Sequence, residues 1–287
     1  MESSPFRFTG KGRLSIAGEQ WGHRTAAPVI LLHGGGQTRH AWGTTLRVLG
    51  SRWHGFSMDL RGHGDSEWAP DGDYTLEAFA RDIHAVATSL PTPPVLIGAS
   101  LGGISSLTAI ADHPREHVAR ALVLVDVAPR IEPTGVQRIG DFMTSHLDGF
   151  ASLEEVADVI HAYNPHRPRP TDLSGLTKNL RQRADGRWVW HWDPRFVSGK
   201  FGSPDETRTA NMTDGSRLAN AARSLTIPTL LVRGRMSDLL SEQGAQELLE
   251  LVPHARLVDV AGAGHMVAGD KNDLFNDAIV TFLDKLR

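Results

Sequence analysis

The run Val95-Leu96-Ile97-Gly98-Ala99-Ser100-Leu101-Gly102-Gly103 constrains this chain more than any other stretch. Its apolar start reads as a buried strand, and Ile104 to Ala111 reads as a helix. Between them lies Gly-x-Ser-x-Gly. A strand that turns into a helix over so few residues places the serine on a sharp, strained turn, its hydroxyl projecting from the sheet edge. Gly98 and Gly102 leave room where a Cβ would crowd that turn. The helix N-terminus supplies backbone N–H groups and the positive end of a dipole, both of which favour negative charge beside the serine. In a chain with 29 glycines the five-residue pattern is weak by itself, so its flanks carry the argument.

Those flanks repeat. Residues 6 to 21 predict a hairpin, with Phe6 to Phe8 and Leu14 to Trp21 either side of Gly10-Lys11-Gly12. Pro28 to His33 is an apolar run ending in Gly34-Gly35-Gly36, as expected of a strand buried on both faces. A helix is expected from about Trp42 to Leu49 and a strand from Trp53 to Asp59. Thr75 is placed to cap a helix from Leu76 to Leu90, which Pro91, Pro93 and Pro94 end. Ala121 to Val127 is the strand after the serine helix. Strand and helix alternating in this way predict a parallel sheet covered on both sides.

The alternation lapses from about Arg130 to Arg223. Helical signals at 135–146 and 153–162 are separated by Pro- and Arg-rich loops, and a stretch of that length is read as an inserted subdomain. Sheet signals return with Ile227 to Gly234, a helix from Ser241 to Leu251, a strand from Ala255 to Val260, and a final helix. The expected division is therefore a core of residues 1–129 and 224–287 with a mainly helical cap at 130–223.

Composition narrows the function classes. A net charge of -3 gives no basic footprint for nucleic acid. No apolar run approaches the roughly 18 residues of a membrane-spanning helix. Met1 to Pro5 has neither the basic start nor the apolar core of a secretory signal, and the expectation is a cytoplasmic protein. The chain has no cysteine, which excludes disulfides, thiolate catalysis and Cys-ligated zinc.

Five motifs in order carry a resemblance to the α/β-hydrolase superfamily: His33-Gly34-Gly35-Gly36, Asp59-Leu60-Arg61-Gly62-His63-Gly64-Asp65-Ser66, the Ser100 turn, Ser237-Asp238 after a strand, and Gly264-His265 after the last strand. The resemblance covers nearly all of the chain outside the cap. It implies a twisted, mostly parallel sheet of about eight strands, a lid inserted after the sixth, and the chain order serine, acid, histidine.

A serine hydroxyl is a poor nucleophile at neutral pH and needs a base, and the base needs a partner that fixes its tautomer. His265, in the glycine-rich loop after the last strand, is the expected base. The resemblance places the acid at Asp238, by the length of the loop that follows Gly234; Asp126, at the end of the strand after the serine helix, is the rival. The backbone N–H of Leu101 and that of Gly35, with Gly34 as its neighbour, are expected to bind the oxyanion of a tetrahedral intermediate. His63 and Asp65 read as a structural turn bracing the sheet edge. Trp188, Trp190 and Trp192 line an apolar cleft or form the cap's own core. Arg167 and the other cap arginines read as a solvated face.

Three patterns read as decoys. His113-Pro114-Arg115-Glu116-His117 has zinc-like spacing, but Pro114 and its position between a helix and a strand argue against a metal site. Asn211-Met212-Thr213 is a formal glycosylation acceptor without a secretion signal. The glycine-rich loops lack the Lys-Ser/Thr of a P-loop. The expectation is thus a cofactor-free serine hydrolase cleaving a carboxylic ester or lactone of a small molecule, with no nucleic-acid or membrane partner. Haloperoxidases, perhydrolases and C–C hydrolases share the same residues in the family. A non-catalytic binding module is the alternative of a different class.

Overall fold

The structure, a computed structural model, describes residues 3–201, 214–265 and 272–286. Its elements in chain order are β1 (Ser4–Thr9), β2 (Ser15–Trp21), β3 (Pro28–Leu32), α1 (Gly43–Leu49), β4 (His54–Met58), α2 (Leu76–Thr88), β5 (Val95–Ala99), α3 (Leu101–Ala111), β6 (Ala121–Val125), α4 (Pro133–Thr144), α5 (Leu153–Tyr163), β7 (Leu180–Gln182), β8 (Trp188–Trp190), α6 (Pro194–Phe201), α7 (Gly215–Arg223), β9 (Thr229–Gly234), α8 (Glu242–Leu251), β10 (Arg256–Val260) and α9 (Asn272–Asp284). Eight strands form one sheet in the order β1-β2-β4-β3-β5-β6-β9-β10. The β1–β2 and β2–β4 pairs are antiparallel, and the rest are parallel.

Burial on both faces explains the unbroken apolar runs. Alternate residues of β3 point to opposite sides of the sheet. Ile30 and Leu32 join a core with Phe79 and Ile83 of α2 and Leu107 of α3. Val29 and Leu31 join a second core with Leu46 of α1 and Phe275 and Ile279 of α9. Every residue of β3 and β6 is buried. Truncating such a side chain, Leu31→Ala for example, is expected to cost about 2–5 kcal/mol.

The chain between β6 and β9 adds no strand to the large sheet among the described residues. Pro133 starts α4 two residues before the predicted position, because proline suits a first helical turn. The helix α5 is capped by Ser152 Oγ, which accepts from the Glu155 N–H at 3.2 Å. One departure from the mainly helical expectation is a small antiparallel sheet of β7 and β8. Its strand β8 holds Trp188 and Trp190, whose alternation is a period of two and therefore a strand signal. The helix α7 packs on α3 and α8, so Leu218 and Ala222 lie in the main core. The Asn211-Met212-Thr213 acceptor lies outside the described residues.

Candidate active site

Ser100 sits between β5 and α3 with φ 46° and ψ −113°, in the left-handed half of the map that few non-glycine residues enter. The glycines around it are required by close approach. A Cβ on Gly98 would lie 2.5 Å from the backbone of Gly102 and Gly103, and one on Gly102 would lie 2.5 Å from the Leu32 carbonyl oxygen. The Ser100 N–H donates to Val125 O at 3.1 Å, and its carbonyl accepts from Gly103 and Ile104. The turn is thus held by its neighbouring strand and by the first turn of α3.

Asp126 follows β6 and is also a positive-φ residue, at 51°. Its side chain is fully buried. Oδ1 accepts from the Gly234 N–H at 2.9 Å; Oδ2 lies 2.5 Å from Ser237 Oγ and 2.7 Å from His265 Nδ1. An ionised carboxylate only accepts, so the Ser237 hydroxyl and the His265 Nδ1–H both donate to Oδ2. His265 Nε2 is then left with a lone pair.

Asp238, the acid expected from loop length, is elsewhere. It lies on the surface, 2.5 Å from Arg138 Nη1 of α4. The loop explains the difference. The Ser237 N–H returns to Gly234 O at 3.0 Å, and Ser237 Oγ accepts from the Leu239 and Leu240 N–H groups at 3.1 Å each. This tight turn aims Ser237 at Asp126, so the next side chain faces away. Nothing in the sequence marks that turn; the cue for Asp126 was its position directly after an apolar strand run.

The loop Gly34–Gly36 is braced by three buried histidines. His33 Nδ1 donates to Gly34 O at 2.7 Å, while its Nε2 accepts from the Leu60 N–H at 2.9 Å. His63 Nδ1 donates to Arg61 O at 2.9 Å and its Nε2 accepts from the Gly36 N–H at 3.1 Å. His191 Nδ1 accepts from the Gly64 N–H at 2.7 Å and its Nε2 donates to Gly36 O at 3.3 Å. Each ring uses one donor and one acceptor, which is the neutral form. Burial pushes His33 below its usual range, and burial followed by the nearby His33 pushes His191 down to about 3.

Bookkeeping of the loop's N–H groups is informative. Gly34 donates to Gln37 Oε1 at 3.0 Å and Gly36 to His63. Among the described residues the Gly35 and Leu101 N–H groups have no acceptor. In the Asp59 to Ser66 turn the buried Asp59 carboxylate receives the backbone N–H groups of Arg39 at 2.7 Å and Asp65 at 2.9 Å.

Ser100, His265, Leu101 and Gly34–Gly36 line a single cavity of ≈ 560 Å³. Its walls are largely apolar, including Ile104, Val127, Ile139, Phe142 and Met143. Trp190 and Trp192 are stacked 4.9 Å apart; they both line this cavity and form part of the core. Arg167 also lines it, which the reading of a solvated arginine face did not anticipate. His113 and Glu116 approach His84 rather than His117. The three offer ligand atoms within 4.8 Å of one another, with His84 Nε2 2.7 Å from Glu116 Oε2 and His113 Nδ1 3.0 Å from Ala109 O.

Comparison with known proteins agrees with this fold. Residues 27–271 match the family model described as alpha/beta hydrolase fold. The esterase Rv0045c of Mycobacterium tuberculosis is 32% identical over 90% of this chain and 82% of its own length. Its solved structure superposes with a TM-score of 0.76 at 28% identity, covering 99% of this chain and 92% of that one. A structure of E-2-(acetamidomethylene)succinate hydrolase has a TM-score of 0.84 at 24% identity, covering 99% and 100% of the two chains. The non-heme chloroperoxidase of Burkholderia pyrrocinia is 24% identical over 96% of this chain and 98% of its own. With its eight-stranded sheet, its family match and these hydrolase relatives, the chain belongs to the alpha/beta hydrolase family and is a hydrolytic enzyme.

Proposed function

We propose that this enzyme is a serine hydrolase that cleaves a carboxylic ester or lactone of a small molecule through an acyl-enzyme. The observation that carries the reading is the contact of His265 with the buried Asp126 carboxylate, its imidazole sharing one cavity with the strained Ser100 turn. In this scheme His265 Nε2 takes the Ser100 Oγ proton as the oxygen attacks the ester carbonyl. The resulting oxyanion is received by the Gly35 and Leu101 N–H groups, the two donors that the fold leaves unspent. His265 then hands the proton to the departing alkoxide. In the second half it activates water, which releases the acid and restores the serine.

Asp126 holds His265 with its proton on Nδ1 and stabilises the imidazolium that forms in each half. Asp238 has no part in this scheme. The apolar walls favour a substrate with an apolar acyl or alcohol group. The described residues 133–201 act as a cap, supplying Phe142, Met143, Trp190 and Trp192 to those walls, whereas α7 packs with the core.

The test is hydrolysis of p-nitrophenyl esters and lactones, followed by stopped flow. The scheme gives a burst of one equivalent of nitrophenol and loss of activity in Ser100→Ala by at least about 1000-fold. A Ser100→Ala protein with undiminished turnover contradicts it. The similarity to a chloroperoxidase supports a second reading, in which hydrogen peroxide replaces water against the same acyl-enzyme and yields a peracid. Peroxide-dependent bromination in a carboxylate buffer separates the two.

A further inference from the structure

Gly36 is gripped through the peptide units on both its sides. Its N–H is taken by His63 Nε2 at 3.1 Å, and its carbonyl receives His191 Nε2 at 3.3 Å. Gly36 has φ +75°, a conformation that glycine tolerates in many alternatives and that therefore needs external constraint. The other nitrogens of the two rings are anchored to the Asp59–Ser66 turn, at Arg61 O and the Gly64 N–H. His33, His63 and His191 stand in a row, with ring centroids 5.2 Å and 5.8 Å apart. His191 differs from the other two in origin, because it follows β8 and is supplied by the chain inserted between β6 and β9.

The segment that carries His191 is itself fixed to the core. The Asp193 N–H donates to Gly62 O at 2.9 Å, and the Tyr74 hydroxyl donates to the buried Asp193 Oδ2 at 2.6 Å. Arg195 donates to Ala69 O at 2.9 Å. The Phe196 ring lies 4.7 Å from that of His63, and its edge is 3.6 Å from where a Gly35 Cβ would stand. Residues 191–196 are thus a docked floor beneath the glycine loop, tied to it through one imidazole.

We infer that His191 is a positioning residue for the reaction: through Gly36 it holds the Gly35 N–H where an oxyanion forms, so the inserted chain completes the oxyanion site as well as covering the cavity. The inference rests on the serine-hydrolase reading above. A donor that is preset in direction stabilises the transition state without reorganisation, and one carried on a loose glycine loop does not. Loss of the His191 contact then lowers kcat and leaves substrate binding in the apolar cavity nearly unchanged.

Two polar variants separate positioning from simple structural support. His191→Asn keeps an acceptor near the Nδ1 position for Gly64 and is too short to reach Gly36; His191→Gln keeps a donor near the Nε2 position for Gly36. His191→Asn is expected to lower kcat about 10- to 100-fold with KM within about 2-fold, since removing an oxyanion donor outright costs about 100- to 1000-fold. Binding of a trifluoromethyl ketone, whose hemiketal oxygen occupies the same site, weakens by the same factor. His191→Gln stays within about 3-fold of the parent on both measures.

Rates are referred to sites titrated with a fluorophosphonate, so only folded enzyme is counted. An unchanged kcat in His191→Asn, a loss confined to KM, or equal losses in both variants overturns the assignment. If the parent protein neither turns over esters nor reacts with the fluorophosphonate, the hydrolase reading itself has failed and this role falls with it. A parent that does both, beside a fully active Asn variant, refutes the His191 role alone.

Discussion

Ser237 Oγ lies 2.5 Å from Asp126 Oδ2, on the same oxygen that faces His265 Nδ1 at 2.7 Å. One carboxylate oxygen thus joins the loop after β9 to the loop after β10, while the other takes the Gly234 N–H. In this geometry the residue before Asp238 contacts Asp126, while Asp238 contacts Arg138.

The acid assignment gives the first prediction. Asp126→Asn offers an amide where the carboxylate accepts, so it no longer enforces a proton on His265 Nδ1. We expect kcat to fall about 1000- to 10,000-fold. Asp238→Asn loses only an exposed contact to Arg138 and should retain activity within about 3-fold. Steady-state kinetics of the two variants side by side decide the matter.

Ser237→Ala removes a donor from Asp126 and an acceptor from the Leu239 and Leu240 N–H groups. Urea unfolding should register a loss of about 1–3 kcal/mol. A smaller fall in kcat than for Asp126→Asn, about 10-fold, should accompany it, because the carboxylate keeps its charge and its Gly234 contact.

Acid should destabilise the fold through the buried histidines. His33 and His191 have folded-state pKa values below their ordinary 6.5, and that of His191 is about 3. The unfolded chain therefore binds their protons first as pH falls. The stability they contribute is whole above about pH 6.5 and is lost progressively from there toward pH 3, with a slope of at most about 1.4 kcal/mol per pH unit for each ring. Unfolding free energies between pH 5 and 8 should rise with pH, and His191→Gln should flatten that slope.

The serine turn tolerates no side chain at its glycines. In Gly102→Ala the new Cβ meets the Leu32 carbonyl oxygen at 2.5 Å, a backbone atom that cannot swing aside. We expect a loss of about 3 kcal/mol, or a displaced α3, read as a lowered Tm together with lost esterase activity.

The order of the strands and the serine turn were legible because β3, β5 and β6 are buried on both faces, and such strands spell themselves as unbroken apolar runs. Loop length pointed to Asp238 over Asp126, and both follow neighbouring parallel strands of one sheet. The four-residue turn from Gly234 to Ser237 and its hydrogen bonds bring Ser237, rather than Asp238, to Asp126. The contacts of His191 were equally hidden, because they depend on the chain folding back over a separation of 127 positions to Gly64. The β7–β8 sheet was present in the alternation of its tryptophans, but the surrounding proline- and arginine-rich loops masked it.

The central claim is that Ser100 is the nucleophile and that His265, held by Asp126, makes it one. Intact-mass measurement of the protein after reaction with a fluorophosphonate tests this most directly. The account predicts one adduct per chain, mapped to the peptide that holds Ser100, absent in Ser100→Ala and formed at least about 100-fold more slowly in His265→Ala and Asp126→Asn. Stoichiometric labelling that persists in Ser100→Ala, or labelling whose rate ignores both His265 and Asp126, would contradict it.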